Sequence, residues 1–274
     1  MPGLLLHCAG PLQSWGQHSH FNQRDTAPFP TRSGILGLLA AALGRSRDEP
    51  VDDLARLGVT VRVDRPGVLL RDLHTVGGGL AAAATVTTAQ GKKRSGDTTT
   101  LLSHRYYLAD AAFTVAVTSA SQATLLLECA HALRAPRWPL FLGRRACPPT
   151  GPLFLGLVDD TLHHLMGLPI AAEAPRAGTA ARTVDVLSDR PLDRLPLPDG
   201  AHGSDPAEAA HPATSLNDQP VTYHPNRRTY RARPLYRRTV TPPSQQWGGL
   251  GTDYLQALGD YARRHFDTRE GNRP

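Results

Sequence analysis

The chain has 274 residues, of which 40% are apolar and 6% aromatic, enough for one large or two small domains. Its net charge of +6 and sequence pI near 9.6 favour an acidic partner such as nucleic acid. The longest apolar run, residues 35–43, is too short to span a bilayer, and no secretory signal precedes it. Three scattered cysteines without metal-ligand spacing suit a reducing compartment, so we expect a cytoplasmic protein that contacts no membrane.

The amino-terminal segment predicts a strand, a polar loop and a buried helix. Residues 3–9, which contain the apolar run Leu4–Leu6, predict the strand, and residues 12–32 form the loop. The helix spans 33–43, since Thr31 or Ser33 can cap its start and Gly44 suits its end. Two helical glycines, at positions 34 and 37, predict the close approach of another backbone. The free amides at the helix start could bind an anion, but a capped core helix without a ligand is favoured.

The next segment predicts a strand pair and a long polar insertion. Residues 59–63 alternate as a half-buried strand, and residues 68–73 are its expected partner across a turn. Residues 77–104 are rich in Gly, Ala and Thr and have little apolar surface to bury. They predict either a disordered loop or a protruding hairpin that orders on a ligand.

A second strand–helix unit completes the first part of the chain. Residues 111–117 alternate as a strand, residues 121–133 predict a helix capped by Ser119 or Ser121, and a short strand is expected at 139–142. The order strand, helix, strand, strand, helix, strand predicts an α+β, ferredoxin-like fold. The aromatic motif with which RRM sheets stack bases is absent, so stacking on an open sheet face is not predicted.

The carboxy-terminal part is less regular. A strand is expected at 183–187 and a flexible surface loop at 188–220. Residues 221–240 interleave tyrosines with six arginines and contain no acid, which predicts either a strand that follows a nucleic-acid backbone or a solvated hairpin edge. Residues 253–266 form an amphipathic helix that we expect to pack on its own domain, although docking to a partner stays open.

Five segments resemble, in the same order, the CasD family of CRISPR-associated RAMP proteins, which cap one end of the guide RNA in type I-E Cascade surveillance complexes. They are GPLQSWG (10–16), FPTRSGILGLLAAALG (29–44), DLHTV (72–76), RYYLADAAFTVAV (105–117) and PLFLGRRACPPTGPLFLG (139–156). The resemblance is dense over about the first 160 residues and weak afterwards.

The resemblance implies an RRM-like RAMP domain at 1–150, with a β-hairpin thumb inserted at about 77–104, and a smaller β-rich region at 151–274. It also implies a non-catalytic subunit that holds the repeat-derived 5′ handle of the crRNA. The implied protein partners are the backbone RAMP subunit and the large subunit, and target DNA is met only through the complex. No cofactor and no metal are expected.

Single-stranded RNA is held by cations and amides on its phosphates and by flat side chains on its bases. On this basis and on the resemblance, the candidate RNA-binding residues are Gln13, Ser14, Trp15, Arg24, Arg32, Ser33, Gly34, Lys92, Lys93, His104, Arg105, Tyr106, Arg144 and Arg145. For Trp15, a role as a core anchor is equally favoured.

Two other functions stay open. A metal-independent endoribonuclease would need a base, a cation and an acid, which His104, the tyrosines at 106 and 107, and Lys92 or Lys93 could supply. A purely structural subunit would wedge its thumb against a neighbouring protein. Binding is favoured over cleavage because a different RAMP subunit cuts in the subtype that this chain resembles.

Overall fold

A computed structural model describes residues 1–16, 19–20, 22–77, 84, 100–176, 178–224 and 227–266. Its strands are β1 (Gly3–Ala9), β2 (Leu12–Gln13), β3 (Ser19–His20), β4 (Gln23–Arg24), β5 (Gly58–Arg65), β6 (Val68–Val76), β7 (Leu101–Ala109), β8 (Ala112–Thr118), β9 (Phe154–Val158), β10 (Val184–Ser188), β11 (His202–Gly203), β12 (Thr214–Thr222) and β13 (Thr229–Thr241). Its α-helices are α1 (Arg32–Leu43), α2 (Ala123–Arg134), α3 (Thr161–Gly167), α4 (Pro206–Ala209) and α5 (Gly251–His265). Within these ranges no helix is both long and apolar enough to cross a membrane.

Four strands form the centre of the larger sheet, in the order β9, β1, β8 and β5, and every neighbouring pair is antiparallel. They are the fourth, first, third and second strands of a strand–helix–strand–strand–helix–strand motif with helices α1 and α2. The predicted α+β, ferredoxin-like class is therefore confirmed. Beyond β5 the same sheet continues through β10 and β13, so it includes strands from both sides of residue 150. The predicted domain division at that residue stays a prediction.

The two helices of the motif cover one face of this sheet. At the start of α1 the Thr31 hydroxyl accepts the amide of Gly34 at 3.3 Å, and at its end Gly44 adopts the left-handed conformation with φ 77°. Before α2 the Ser119 hydroxyl accepts the amides of Ser121 and Gln122. Both helices pack against the apolar side chains of β1, β5 and β8 in the main core. The predicted helices and their caps are confirmed.

The opposite face of the sheet is also covered. Leu5 and Ala116 pack there against Leu165 of α3 and against Tyr254 and Leu258 of α5. The carboxy-terminal helix thus packs on its own chain, against strands of the amino-terminal motif. The face on which an RRM-type sheet would stack bases is closed by the chain itself.

A fully buried ion pair lies in this second face. The Nε of Arg62 lies 2.6 Å from an oxygen of Asp64, and both side chains are inaccessible to solvent. The same guanidinium donates to the carbonyls of Leu165, Leu168 and Pro169 at 2.6 to 2.8 Å. These carbonyls lie at or just beyond the end of α3, where helical carbonyls lack a partner, so Arg62 ties this helix to the sheet.

Strands β6 and β7 form a long hairpin that is inserted between β5 and β8. They pair antiparallel from Val68 with Ala109 to Val76 with Leu101, in a second sheet that also contains β2, β3 and β4. The prediction that residues 68–73 pair with the preceding strand is wrong, because both edges of β5 are taken, by β8 and by β10. Most of the predicted insertion at 77–104 lies outside the described residues, so its ordering on RNA stays a prediction.

Two other predictions of secondary structure are wrong. Residues 139–142 form no strand; the fourth strand of the motif is β9, which begins at Phe154. Residues 188–220 are not a plain loop, since they contain α4 and most of β12, and Leu192 and Leu195 are buried. Their proline- and alanine-rich sequence has no hydrophobic periodicity, so the pairing of β12 with β13, the next strand of the chain, was not predicted.

Breaking the ion pair between Arg62 and Asp64 is expected to lower the stability of the fold strongly. We expect Asp64→Asn to lower the free energy of unfolding by about 3 kcal/mol or more, because it leaves a buried guanidinium without its counter-charge. Asp110→Asn is the matched control, since Asp110 pairs with Arg65 through a carboxylate that is 77% exposed. Such a pair contributes under about 1 kcal/mol, and asparagine tolerates the φ of 54° at this position. Equal losses in urea unfolding would contradict the assigned role.

Candidate nucleic-acid interface

The base of the hairpin brings several of the predicted residues together. Strand β4 runs parallel to β7 and places Arg24 beside Arg105, while β2 pairs with the other end of β7. The loop that contains Arg144 and Arg145 packs against the same place, since Leu142 accepts the backbone amide of Ser14 at 3.0 Å. Four arginines from three separate segments therefore belong to one region.

These arginines differ in their surroundings. Arg24 and Arg145 are exposed, and within the described ranges Arg145 has no hydrogen bond or ion pair. Arg105 is half-buried, and its Nε is shielded from solvent without an acceptor among the described residues. Arg144 is also half-buried, and both of its terminal nitrogens donate to backbone carbonyls. Two of the four thus face solvent, and a third has an unsatisfied donor.

The three predicted residues of the first loop lie in the protein interior. Gln13 is fully buried, donates to the carbonyls of Cys8 and Ala111, and accepts the indole N–H of Trp15 at 3.0 Å. The Ser14 hydroxyl donates to the Tyr106 carbonyl at 3.1 Å. Trp15 is 1% exposed, so the core-anchor alternative is the one that the structure supports. These residues join β1, β7 and β8 and position the surface above them.

Gly143 lies at a position where any other residue would force the neighbouring backbone to move. Its φ is 89°, and a Cβ atom there would lie 1.7 Å from the carbonyl oxygen of Ser14. Contact at this distance requires the backbone to move. The glycine therefore holds the loop of Arg144 and Arg145 directly against the first loop.

The start of α1 does not present an anion site. A carboxylate oxygen of Asp218 accepts the backbone amide of Arg32 at 2.7 Å, and Asp218 is itself paired with Arg233 at 2.6 Å. The carboxylate thus occupies the place that a phosphate would take at a helix N-terminus. The Ser33 carbonyl accepts the phenol of Tyr223 at 2.6 Å. The favoured interpretation, a capped core helix, agrees with this geometry.

The Arg32 side chain also points into the protein. Its guanidinium pairs with Asp189 and donates to the carbonyls of Ala55 and Leu57. Burial lowers the pKa of Arg32 to about 10, which still leaves it charged at neutral pH. A residue that is 5% exposed and held in this way cannot reach RNA without giving up these bonds. Its predicted contact with RNA has no support in this arrangement.

The two helical glycines are approached by side chains and not by another backbone. A Cβ on Gly34 would lie 2.7 Å from the ring of Trp15, and one on Gly37 would lie 3.6 Å from the hydroxyl of Tyr223. The prediction of a close backbone was wrong. A sequence with few aromatic residues gave no sign of which ring would fill each gap.

Two further candidates lie on one face of the hairpin. Cross-strand partners share a face, which places Arg71 beside Tyr106 and next to His104. The Nε of Arg71 lies 3.2 Å from Nδ1 of His104, and its Nη2 lies 3.4 Å from Nε2. Arg71 was not predicted, although a charged residue directly before the DLHTV segment could have indicated a polar position. Lys92 and Lys93 lie outside the described residues.

Three of the six arginines in the 221–240 segment are engaged by other parts of the chain. Arg233 pairs with Asp218, Arg237 pairs with Asp185, and Arg238 is buried against the carbonyl of Leu192. The acids that neutralise them come from elsewhere in the chain, which the acid-free segment could not reveal. The exposed arginines of the segment are Arg227, Arg228, Arg231 and Arg237.

A metal centre has no support in the described ranges. No group of three or more His, Cys, Asp or Glu side chains there could hold a metal ion. His164, which follows the acidic pair at 159–160, is hydrogen-bonded to the phenol of Tyr261 at 3.0 Å. Burial lowers the pKa of this imidazole. It therefore belongs to the packing of α3 against α5.

Because Arg32 is buried, we expect its replacement to change the stability of the fold and not the binding of RNA. We expect Arg32→Ala to lower the free energy of unfolding by about 3 kcal/mol or more, because it leaves Asp189 buried without its partner. The control Arg24→Ala removes an exposed side chain and should change this quantity by under about 0.5 kcal/mol. Urea unfolding followed by circular dichroism measures both. An Arg32→Ala variant with unchanged stability would show that this buried pair contributes little.

Comparison with known proteins agrees with this architecture. The profile of a family described as CRISPR-associated protein (Cas_Cas5) matches residues 3–236. The chain is 42% identical over 165 residues to the CRISPR system Cascade subunit CasD of Escherichia coli (strain K12), which covers 56% of this chain and 70% of the relative.

Two solved structures are similar over nearly the whole chain. A chain of a CRISPR RNA-guided surveillance complex has 39% sequence identity and a TM-score of 0.77, and the match covers 95% of this chain and 99% of that one. A crystal structure of a Cas protein has 31% identity and a TM-score of 0.58, with 91% and 99% covered. The family match, the relative and both structures agree with the resemblance found in the sequence motifs. The chain belongs to the Cas5 family of CRISPR-associated proteins.

Proposed function

We propose that this chain is the CasD-type subunit of a type I-E Cascade surveillance complex, in which it holds the repeat-derived 5′ handle of the crRNA without cutting it. The similarity to a Cascade subunit and to a chain of an RNA-guided surveillance complex supports this assignment. In this function the chain acts in antiviral defence in the cytoplasm and needs no cofactor.

The observation that carries the proposal is the group of arginines at the base of the hairpin. Arg24 and Arg105 are neighbours across a parallel strand pair, and the loop with Arg145 is packed beside them. Phosphate is bound well by the planar fork of a guanidinium. The unsatisfied Nε of Arg105 gains most from a new acceptor, since a buried donor without a partner is unfavourable.

The same arrangement suits a single-stranded RNA end. A side chain that extends from a hydrogen-bonded strand loses little freedom on binding, which favours affinity. The half-buried side chains of His104 and Tyr106 lie on the other face of the hairpin from Arg105, because alternate residues of a strand face opposite ways. Phosphates and bases of one irregular RNA end can thus meet different faces of β7.

The hairpin also supports contact with neighbouring proteins. Several large apolar side chains along it are 43 to 71% exposed: Val68, Leu69, Leu70, Leu73 and Leu102. Exposed apolar patches of this kind mark interaction surfaces. We assign them to the partners implied for this subunit, the backbone RAMP subunit and the large subunit, and target DNA is reached through the complex.

Binding without cleavage is the better interpretation of the described geometry. His104 lies against Arg71 and shares no hydrogen bond with Tyr106 in the described part of the chain. Cleavage needs a base and an acid placed on either side of the reacting phosphate. The ribonuclease alternative has no observation in its favour here.

The first test compares two pairs of arginines. We expect Arg105→Ala/Arg145→Ala to weaken binding of the CRISPR repeat RNA by about 2 kcal/mol or more, roughly 30-fold, because it removes charged hydrogen-bond donors held by the fold. Arg227→Ala/Arg231→Ala should cost under about 1 kcal/mol, since solvated charges contribute weakly. Fluorescence anisotropy at moderate salt measures both, with folding checked by circular dichroism.

The control pair excludes Arg233 for a structural reason. Its loss would leave Asp218 buried without a counter-charge and would disturb the start of α1. If the variant changed at 227 and 231 loses more affinity for RNA than the variant changed at 105 and 145, the proposal has placed the RNA interface on the wrong sheet.

The second test concerns catalysis. We expect the purified chain to leave repeat RNA intact with EDTA and with added Mg²⁺, because the described residues offer neither a coupled acid–base pair nor a metal site. Denaturing gels after prolonged incubation measure the product. Specific cutting that disappears in Tyr106→Phe or His104→Ala would replace the binding function by the ribonuclease.

A further inference from the structure

Arg144 differs from the other arginines at the base of the hairpin, because the chain itself uses both ends of its guanidinium. Its Nη1 donates to the carbonyl of Tyr106 at 3.1 Å. Its Nη2 donates to the carbonyls of Arg24 at 2.7 Å and Asp25 at 3.1 Å. The guanidinium carbon also lies 4.9 Å from the centre of the Tyr107 ring, over its face.

We propose that Arg144 is a positioning residue, which holds the backbone of β4 against β7 so that the side chain of Arg24 meets RNA beside Arg105, and that it does not bind phosphate itself. This inference rests on the proposed function and assigns Arg144 a role different from that of Arg145. A phosphate that approached the end-on fork of Nη1 and Nη2 would have to displace the three carbonyls that these nitrogens already contact.

The strand that carries Arg24 needs such a support. Strand β4 has two residues, and its pairing with β7 consists of Gln23 beside His104 and Arg24 beside Arg105. One further backbone bond, from His104 to the carbonyl of Asn22 at 2.7 Å, joins the two segments. So short a ladder is weak by itself. Arg144 adds two bonds to the β4 segment and one to β7.

The support itself is held firmly. The Tyr106 carbonyl also accepts the Ser14 hydroxyl, and Leu142 accepts the Ser14 amide. Gly143 brings the loop into direct contact with the Ser14 carbonyl. Tyr107, below the guanidinium, is 2% exposed and belongs to the main core. Arg144 thus links the short β4 strand to the core through one side chain.

A double-mutant cycle on the full chain tests this role. The probe is a fluorescein-labelled single-stranded RNA with the CRISPR repeat sequence of the host genome. We expect Arg24→Ala and Arg144→Ala each to weaken binding about tenfold, and the double variant to lose little more than either, because Arg144 acts through Arg24. A loss near the hundredfold product would mean that Arg144 acts independently, and it would overturn the proposal.

Two controls separate positioning from charge and from general instability. Arg144→Lys keeps the charge, but a lysine ammonium cannot bridge three carbonyls in one plane, so it should bind as weakly as Arg144→Ala. Recovery of wild-type affinity by lysine would overturn the proposal. Arg144→Ala combined with Arg231→Ala, a residue of the other sheet, should give the product of the single losses.

Hydrogen exchange without RNA decides the structural part alone. We expect the amides of 22–25 and 104–107 to exchange faster in Arg144→Ala than in the wild type, while those of β1 and β8 stay protected. Unchanged exchange in these two segments would overturn the proposal. If the wild type fails to bind the repeat RNA, the proposed function and the part of Arg144 in RNA capture both fail, and the exchange result still decides whether Arg144 holds β4 to β7.

Discussion

The buried pair of Arg62 and Asp64 decides how the ferredoxin-like sheet is used. A buried ion pair is stable when further hydrogen bonds satisfy both groups. Here the carbonyls of Leu165, Leu168 and Pro169 accept from Arg62, and the Thr114 hydroxyl and the Ala171 amide donate to Asp64. The pair thereby fixes the segment after β9 across the sheet face that other RNA-binding domains leave open. Beside it His7, whose pKa burial lowers to about 4, is neutral and contacts Tyr254 of α5.

Closing that face moves any RNA interface to the periphery of the fold. The inserted hairpin supplies it, because β6 and β7 belong to a separate sheet with both faces partly exposed. The interface then depends on how firmly the hairpin is fixed at its base. Buried Gln13 and Ser14 and the tight contact at Gly143 provide this, and Arg144 extends it to the short β4 strand.

Charge alone is a poor guide to binding in this protein. Its basic residues are nearly all arginines, but the carboxylates of Asp64, Asp189 and Asp218 each engage one of them in the interior, and Asp185 pairs with a fourth at the surface. A guanidinium that is already paired within the protein stabilises the fold and contributes little to the binding of an external anion. Two kinds of arginine are best suited to bind RNA. One is held by a strand and has a donor without a partner, as Arg105 does. The other is exposed beside such a residue, as Arg145 is.

The sequence by itself determined the local elements and the family. The caps at Thr31, Ser119 and Gly44, the alternation of β1, β5 and β8, and the ordered motifs identified the ferredoxin-like core, because these signals depend on neighbouring residues. The tertiary structure decided what depends on distant partners. The pairing of β6 with β7, the occupation of the α1 start by Asp218, and the burial of Arg32 and Trp15 each join residues far apart in the chain. No local pattern encodes which carboxylate reaches which arginine, so the division between structural and RNA-facing cations became visible only in the folded chain.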